Sequence, residues 1–133
     1  MNTIKIFFAS IIAIAALDLL WVGFIANSFY YNHLSTILRL NPEGAVSPRI
    51  LPVILIYISM AALVTFFVLN VPAQSSLSVL LRGALFGLLV YGFYNFTNLA
   101  LIEKWDWSVA LIDTLWGAVI FGFSSFLVAK FVA

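Results

Sequence analysis

The chain contains no cysteine and a single histidine. The first absence removes disulfides, iron–sulfur ligation and every thiolate chemistry, and the second leaves no histidine pair for zinc or haem. Charge is nearly as scarce: only 8% of the 133 residues are Asp, Glu, Lys or Arg, against roughly 25% in a soluble domain. Six Lys and Arg stand against five Asp and Glu, a net charge of +1. That balance offers no basic surface to neutralise phosphates, which excludes nucleic acid as a partner. There is no phosphate-cradling glycine loop, no His-Glu-x-x-His pair and no Gly-x-Ser-x-Gly elbow, so no cofactor is expected and catalysis is left open. What is present is apolar. Hydrophobic residues make up 65% of the chain and the mean hydropathy is +1.16. A domain this small buries well under three quarters of its surface in water, so the solvent that fits this composition is lipid.

Four apolar runs are long enough to cross a hydrocarbon core of ~30 Å at ~1.5 Å per helical residue. They cover about residues 4–26, 50–69, 77–102 and 107–132. The first exceeds the apolar region of a cleaved signal peptide and contains Asp18, so it is expected to span. Ser47-Pro48 is expected to cap the second run, with Pro52 tolerated in its first turns and Pro72 ending it. Ser75 and Ser76 introduce the third, and Asp106 is the expected cap of the fourth. Short connections predict that the second, third and fourth spans are sequential antiparallel neighbours in one all-α bundle, a single domain over residues 1–133. Between the first two spans, Phe29, Tyr30, His33, Leu34, Ile37 and Leu38 recur near helical spacing. The spacing predicts a short interfacial helix, its aromatics serving as anchors and His33 as an interfacial residue. With the amino-terminal side called A and the opposite side B, Lys5, Arg82 and Lys130 fall on A and Arg39, Arg49 and Lys104 on B. The amino terminus tips the count towards a cytoplasmic A side, which holds both termini. Arg82 is expected to snorkel to headgroups.

Membrane depth makes a few polar residues conspicuous. An ionised carboxylate in a span costs ~2.5–3.5 kcal/mol, so Asp18 and Asp113 are expected to face protein or water. Counted from the span boundaries at ~1.5 Å per residue, they lie about 4–5 Å and about 9 Å on the B side of the midplane. If their spans are neighbours, the two acids should not both ionise freely. The third span adds Asn95 and Asn98, with Tyr91 and Tyr94 on the same helical stripe. Both acids sit in the pattern apolar-Asp-x-Leu-Trp, Leu17 to Trp21 and Ile112 to Trp116, which puts each indole on its carboxylate's face. These residues predict a polar pocket opening to B: Asp18, Asp113, Asn95 and Asn98 as binding groups, and Trp21, Trp116, Tyr91 and Tyr94 as walls. Membrane Asn and Asp also serve as plain interhelical bonds, and for either Asn alone that is the simpler role. No metal site is expected. Trp105 and Trp107 read as interfacial belt residues. Gly83-x-x-x-Gly87 and Ala118-x-x-x-Gly122 are small-residue faces for close packing within a subunit or in a homodimer.

Leu17-Asp18-Leu19-Leu20-Trp21-Val22-Gly23-Phe24, Arg82-Gly83-Ala84-Leu85-Phe86-Gly87, Tyr94-Asn95-Phe96-Thr97-Asn98-Leu99-Ala100 and Asp113-Thr114-Leu115-Trp116-Gly117 are ordered along nearly the whole chain. Together they resemble the small bacterial multi-pass membrane proteins of domain of unknown function 2177. The resemblance implies residence in the bacterial cytoplasmic (inner) membrane and no particular activity. Members often carry Asp where this chain has Asn95, and the difference removes one titratable group. The residues themselves favour a small amphiphilic or lipid-derived ligand held among apolar walls by convergent polar groups. A small proton- or ion-coupled transporter and a lipid-modifying enzyme are the alternatives.

Overall fold

A computed structural model describes residues 2–133. The described chain is all-α apart from one isolated bridge between Leu40 and Val46. Helix α1 covers Thr3–Ile25, α2 Asn27–Leu34, α3 Ile50–Leu69, α4 Ser76–Leu101 and α5 Trp107–Phe131. All but α2 are long and apolar enough to cross a membrane, and they alternate in direction from side A to side B. The expected spans agree to within a residue at each end. Lipid cannot hydrogen-bond a peptide group, so a crossing segment must stay helical throughout. The ends follow local chemistry. Asn2 accepts from the Lys5 amide, Ser75 from Ser78, and Asp106 from Ser108 and Val109, each satisfying first-turn donors that the helix cannot. Only α3 departs from expectation, because Arg49, not Ser47, precedes its first helical residue and no side chain caps it. Ser47 belongs instead to a small turn, where its carbonyl and hydroxyl both accept from Arg39.

Helices α1 and α3 end in widened π-helical turns, Trp21–Ile25 on side B and Val64–Leu69 on side A. The second is tied down by Arg82 of α4, whose guanidinium donates to the carbonyls of Val68, Val71 and Pro72 at 2.8–2.9 Å. Arg82 therefore does not snorkel to headgroups. Its planar fork meets carbonyls that the end of a helix leaves without partners.

Helix α5 is the centre of the bundle: 44% of its most apolar window is buried, against 17–22% for the other spans. Its seam with α4 is made of backbone. A Cβ added to Gly83 would lie 2.6 Å from the Phe121 carbonyl oxygen, and one added to Gly87 would overlap the carbonyl of Gly117. Gly117 in turn lies under the Tyr91 ring, and Gly122 against Ala84 and the Leu80 carbonyl. The small-residue faces are thus consumed within the chain, which withdraws them as a homodimer surface. The stripe on α5 runs from Gly117 to Gly122, not from Ala118. On the other side α1 packs against α3 and α5 through Ile6, Ile14, Met60, Val64, Ile120 and Phe121. Helix α3 meets α4 chiefly through Val64–Leu69 and leans mainly on α1. The expected run of sequential neighbours therefore holds closely only for α4 and α5. The outer faces are apolar, with Phe24, Phe93 and Leu101 about four-fifths exposed, an arrangement tolerable only in lipid.

Candidate functional site

Helices α1 and α5 run antiparallel, and each carries Asp followed three residues later by Trp. In α1 the step from Asp18 to Trp21 climbs towards side B; in α5 the step from Asp113 to Trp116 descends towards side A. Antiparallel packing therefore levels each tryptophan with the other helix's acid. The Trp116 indole donates to Asp18 Oδ1 at 3.2 Å. Trp21 donates to the Tyr30 hydroxyl at 3.0 Å, and Tyr30 donates to Asp113 Oδ1 at 2.7 Å. The two indoles stack face to face, with centroids 4.7 Å apart and planes 11° from parallel.

Each carboxylate accepts a second bond from a different helix. Tyr57, the one tyrosine of α3, donates to Asp18 Oδ2 at 2.7 Å. Asn95 of α4 is fully buried and spends both amide hydrogens, one on the Tyr91 carbonyl at 3.0 Å and one on Asp113 Oδ2 at 2.7 Å. Indole and amide nitrogens are donors only. Asp18 Oδ1 and Asp113 Oδ2 are consequently acceptors, and Tyr30, already accepting from Trp21, has its hydrogen free for Asp113. Bonds of this kind contribute about 0.5–1.5 kcal/mol each to a neutral group and about 1.5–3 kcal/mol to a charged one. No hydrogen bond joins the two acids directly; their connection is the tryptophan stack.

Four of the eight residues singled out in the sequence thus converge with both acids' hydrogen bonds: Asp18, Asp113, Trp21 and Trp116. Asn95 joins through Asp113. Tyr91 lies in the packed interior, its hydroxyl 4.0 Å from the Met60 sulfur and its ring edge-on to Phe121. Tyr94 faces outward and meets Trp105 edge-on at 5.8 Å and 84°. Asn98, a turn further towards side B, bonds neither acid among the described residues. Two participants were not anticipated. Tyr30 read as an aromatic anchor, and Tyr57 stood unremarked in an apolar span, where a phenol hydroxyl at membrane depth was itself the available signal.

On side B a half-open cleft of about 210 Å³ leads to Asp113. Tyr94 and Trp105 form one wall, and Tyr30, Leu34, Ile37 and Leu38 of α2 and the turn after it form another. Trp105, expected from the sequence to be an interfacial belt residue, thus lines the cleft. Burial and the neighbouring Asp113 charge raise the Tyr30 hydroxyl above its ordinary pKa, which keeps it protonated as a donor. Helix α2 is fastened at its far end by His33 Nδ1, 3.1 Å from Asp106 Oδ2. The hydrogen bond from His33, aided by the Val109 and Ser108 amides, holds the exposed Asp106 carboxyl below its ordinary value. The same carboxylate thus caps α5 and latches α2. No cluster of three or more His, Cys, Asp or Glu side chains suited to a metal ion forms among the described residues.

The family described as a predicted membrane protein, DUF2177, matches residues 3–129. No curated protein and no solved structure matches the chain.

Proposed function

The chain belongs to the DUF2177 family of predicted membrane proteins, and we propose that this integral multi-pass protein binds a small amphiphilic or lipid-derived ligand at the side-B cleft. One observation carries the reading: a carboxylate within a span, Asp113, lines a cleft whose other side chains are apolar or aromatic. Apolar walls with one or two directed polar groups are the general composition of small-molecule sites. Tyr30, Asn95 and, through Tyr30, Trp21 hold the carboxylate in one orientation. Tyr57 and Trp116 do the same for Asp18, which braces the site from the deeper side. Side A is cytoplasmic in this reading, with the amino terminus, Lys5 and Lys130 on it and the loop acids Glu43, Glu103 and Asp106 on side B. The cleft then opens at the outer face of the bacterial cytoplasmic membrane.

Purification in mild detergent followed by extraction and mass analysis of retained amphiphiles tests the proposal. The wild-type protein should retain about one ligand per chain. Asp113→Asn and Asp18→Asn should insert normally and lose it, since each amide keeps the shape and removes the charge. Equal retention by wild type and both variants would refute it. One observation favours a second reading, ion- or proton-coupled transport: neither intramembrane acid has a basic partner. A substrate-dependent pH change inside reconstituted vesicles would select that reading over simple binding.

A further inference from the structure

The cleft holds less than its expected ligand. Its volume of about 210 Å³ is some seven waters' worth at ~30 Å³ each, below the ~300 Å³ at which pockets for whole drug-sized molecules begin. An amphiphile would place only its head there and leave its tail along the lipid-facing helices. Asp113 determines what that head must be. A carboxylate offers about four lone-pair sites, and Tyr30 and Asn95 occupy one on each oxygen. Both donors are neutral. The one contact of salt-bridge geometry among the described residues joins His33 to Asp106, so no basic side chain pairs with Asp113, and a cation beside it would favour its ionised form. An anionic head would be repelled by the carboxylate, and a neutral head would give the acid no partner for its ionised form, so a cation is the head that gains most from it. The walls select in the same direction. Tyr94 and Trp105 stand at 84° to each other and form an aromatic corner beside the acid. Aromatic rings attract cations within about 6 Å, most strongly when water is excluded.

We infer that the side-B cleft recognises an ammonium group, the ligand being a cationic or amine-headed amphiphile whose head pairs with Asp113 between Tyr30, Tyr94 and Trp105. This rests on the cleft being the ligand site, and the experiment separates the two claims. The full chain, held in an uncharged sugar detergent, is titrated with dodecyltrimethylammonium, dodecyl sulfate and an uncharged dodecyl ether of equal chain length, with tryptophan fluorescence as the readout. The ammonium compound should bind at least ten-fold more tightly than either control. Asp113→Asn should remove that preference. Trp105→Leu, which keeps the acid, should weaken the ammonium compound about three- to ten-fold and the uncharged one less, measured by competition against a radiolabelled ammonium probe. Equal affinity for all three amphiphiles, or preference for the sulfate, would overturn the ammonium assignment and leave the amphiphile site standing. Trp105→Leu binding the ammonium compound as tightly as wild type would overturn the aromatic part of it. Saturable binding of none of the three would overturn the amphiphile site itself.

Discussion

The two flanks of α5 are built on opposite plans. Towards α4 the contact is backbone on backbone: Gly83 and Gly87 lie against Phe121 and Gly117 so closely that a methyl group has no room. Towards α1 the contact is side chain on side chain, through two stacked indoles and hydrogen bonds that cross between helices. Around Gly83 and Gly87 this flank carries no titratable side chain and tolerates no enlargement, and the bond from Asn95 to Asp113 crosses it only nearer side B. The tryptophan flank tolerates changes of shape more readily than changes of charge or donor. A membrane protein gains little from apolar burial between helices, because lipid is as apolar as leucine. Close backbone packing on one flank can therefore set a rigid frame against which the polar groups of the other are aligned.

Breaking the glycine flank should have the largest effect. Gly87→Val drives a branched side chain into the Gly117 carbonyl, which has no means of yielding. Overpacking ordinarily costs about 1–3 kcal/mol, and here a loss at the upper end or failure to fold is expected, read as thermal unfolding and size-exclusion behaviour in detergent. Gly23→Ala, whose new methyl meets nothing within 4 Å, is the control. A Gly87→Val protein with the control's midpoint would show that the seam is not rigid. An intermediate effect is expected from Trp116→Phe, which keeps an aromatic ring against Trp21 and deletes the N–H that serves Asp18. The loss should be about 1–3 kcal/mol by denaturant unfolding, with Trp116→Ala worse because the stack goes too. If Trp116→Phe matches wild type, the stack alone holds this flank.

The smallest effect lies at the rim, where Asp106 fastens α2. A carboxyl held below its ordinary value of 3.8 stabilises the fold fully above that value, and its contribution is lost as pH falls through the lower folded-state value. Acidification below about pH 4 should therefore free the far end of α2. The expected sign is a loss of protection over Asn27–Leu34, measured relative to the intrinsic exchange rate at each pH, and Asp106→Asn should show that loss already at neutral pH with no further loss on acidification. Unchanged exchange in the variant would assign the fastening of α2 to Tyr30 alone.

The spans were legible because hydropathy and length leave a lipid-embedded chain no alternative to helix. The acids, their tryptophans and Asn95 were legible because a polar group at that depth needs a partner. Pairing was harder to foresee. The i, i+3 spacing places Trp21 beside Asp18, yet only the antiparallel course of α5 shows that Trp116 is the indole that reaches Asp18. Tyr57 was missed because tyrosine is common in apolar helices, and Tyr30 because interfacial aromatics usually anchor to lipid. Arg82 was misjudged because a snorkelling arginine and one that caps a neighbouring helix look alike in sequence. The α5 stripe was misplaced by one residue since Gly117 and Ala118 are both small, and only the approach of Gly87 distinguishes them.

The widened turn at Trp21–Ile25 governs the angular phase of the chain beyond it. Each residue of an α-helix advances the chain by about 100°, and a π turn absorbs one residue more than an α turn. Every residue past the turn is therefore rotated by one further step relative to an unbroken α-helix. Past Trp21, which stacks on Trp116, the other four residues of this segment are exposed, so packing does not fix their rotation. The number of residues does, and through it the direction in which α2 leaves the membrane and turns Tyr30 back towards Asp113.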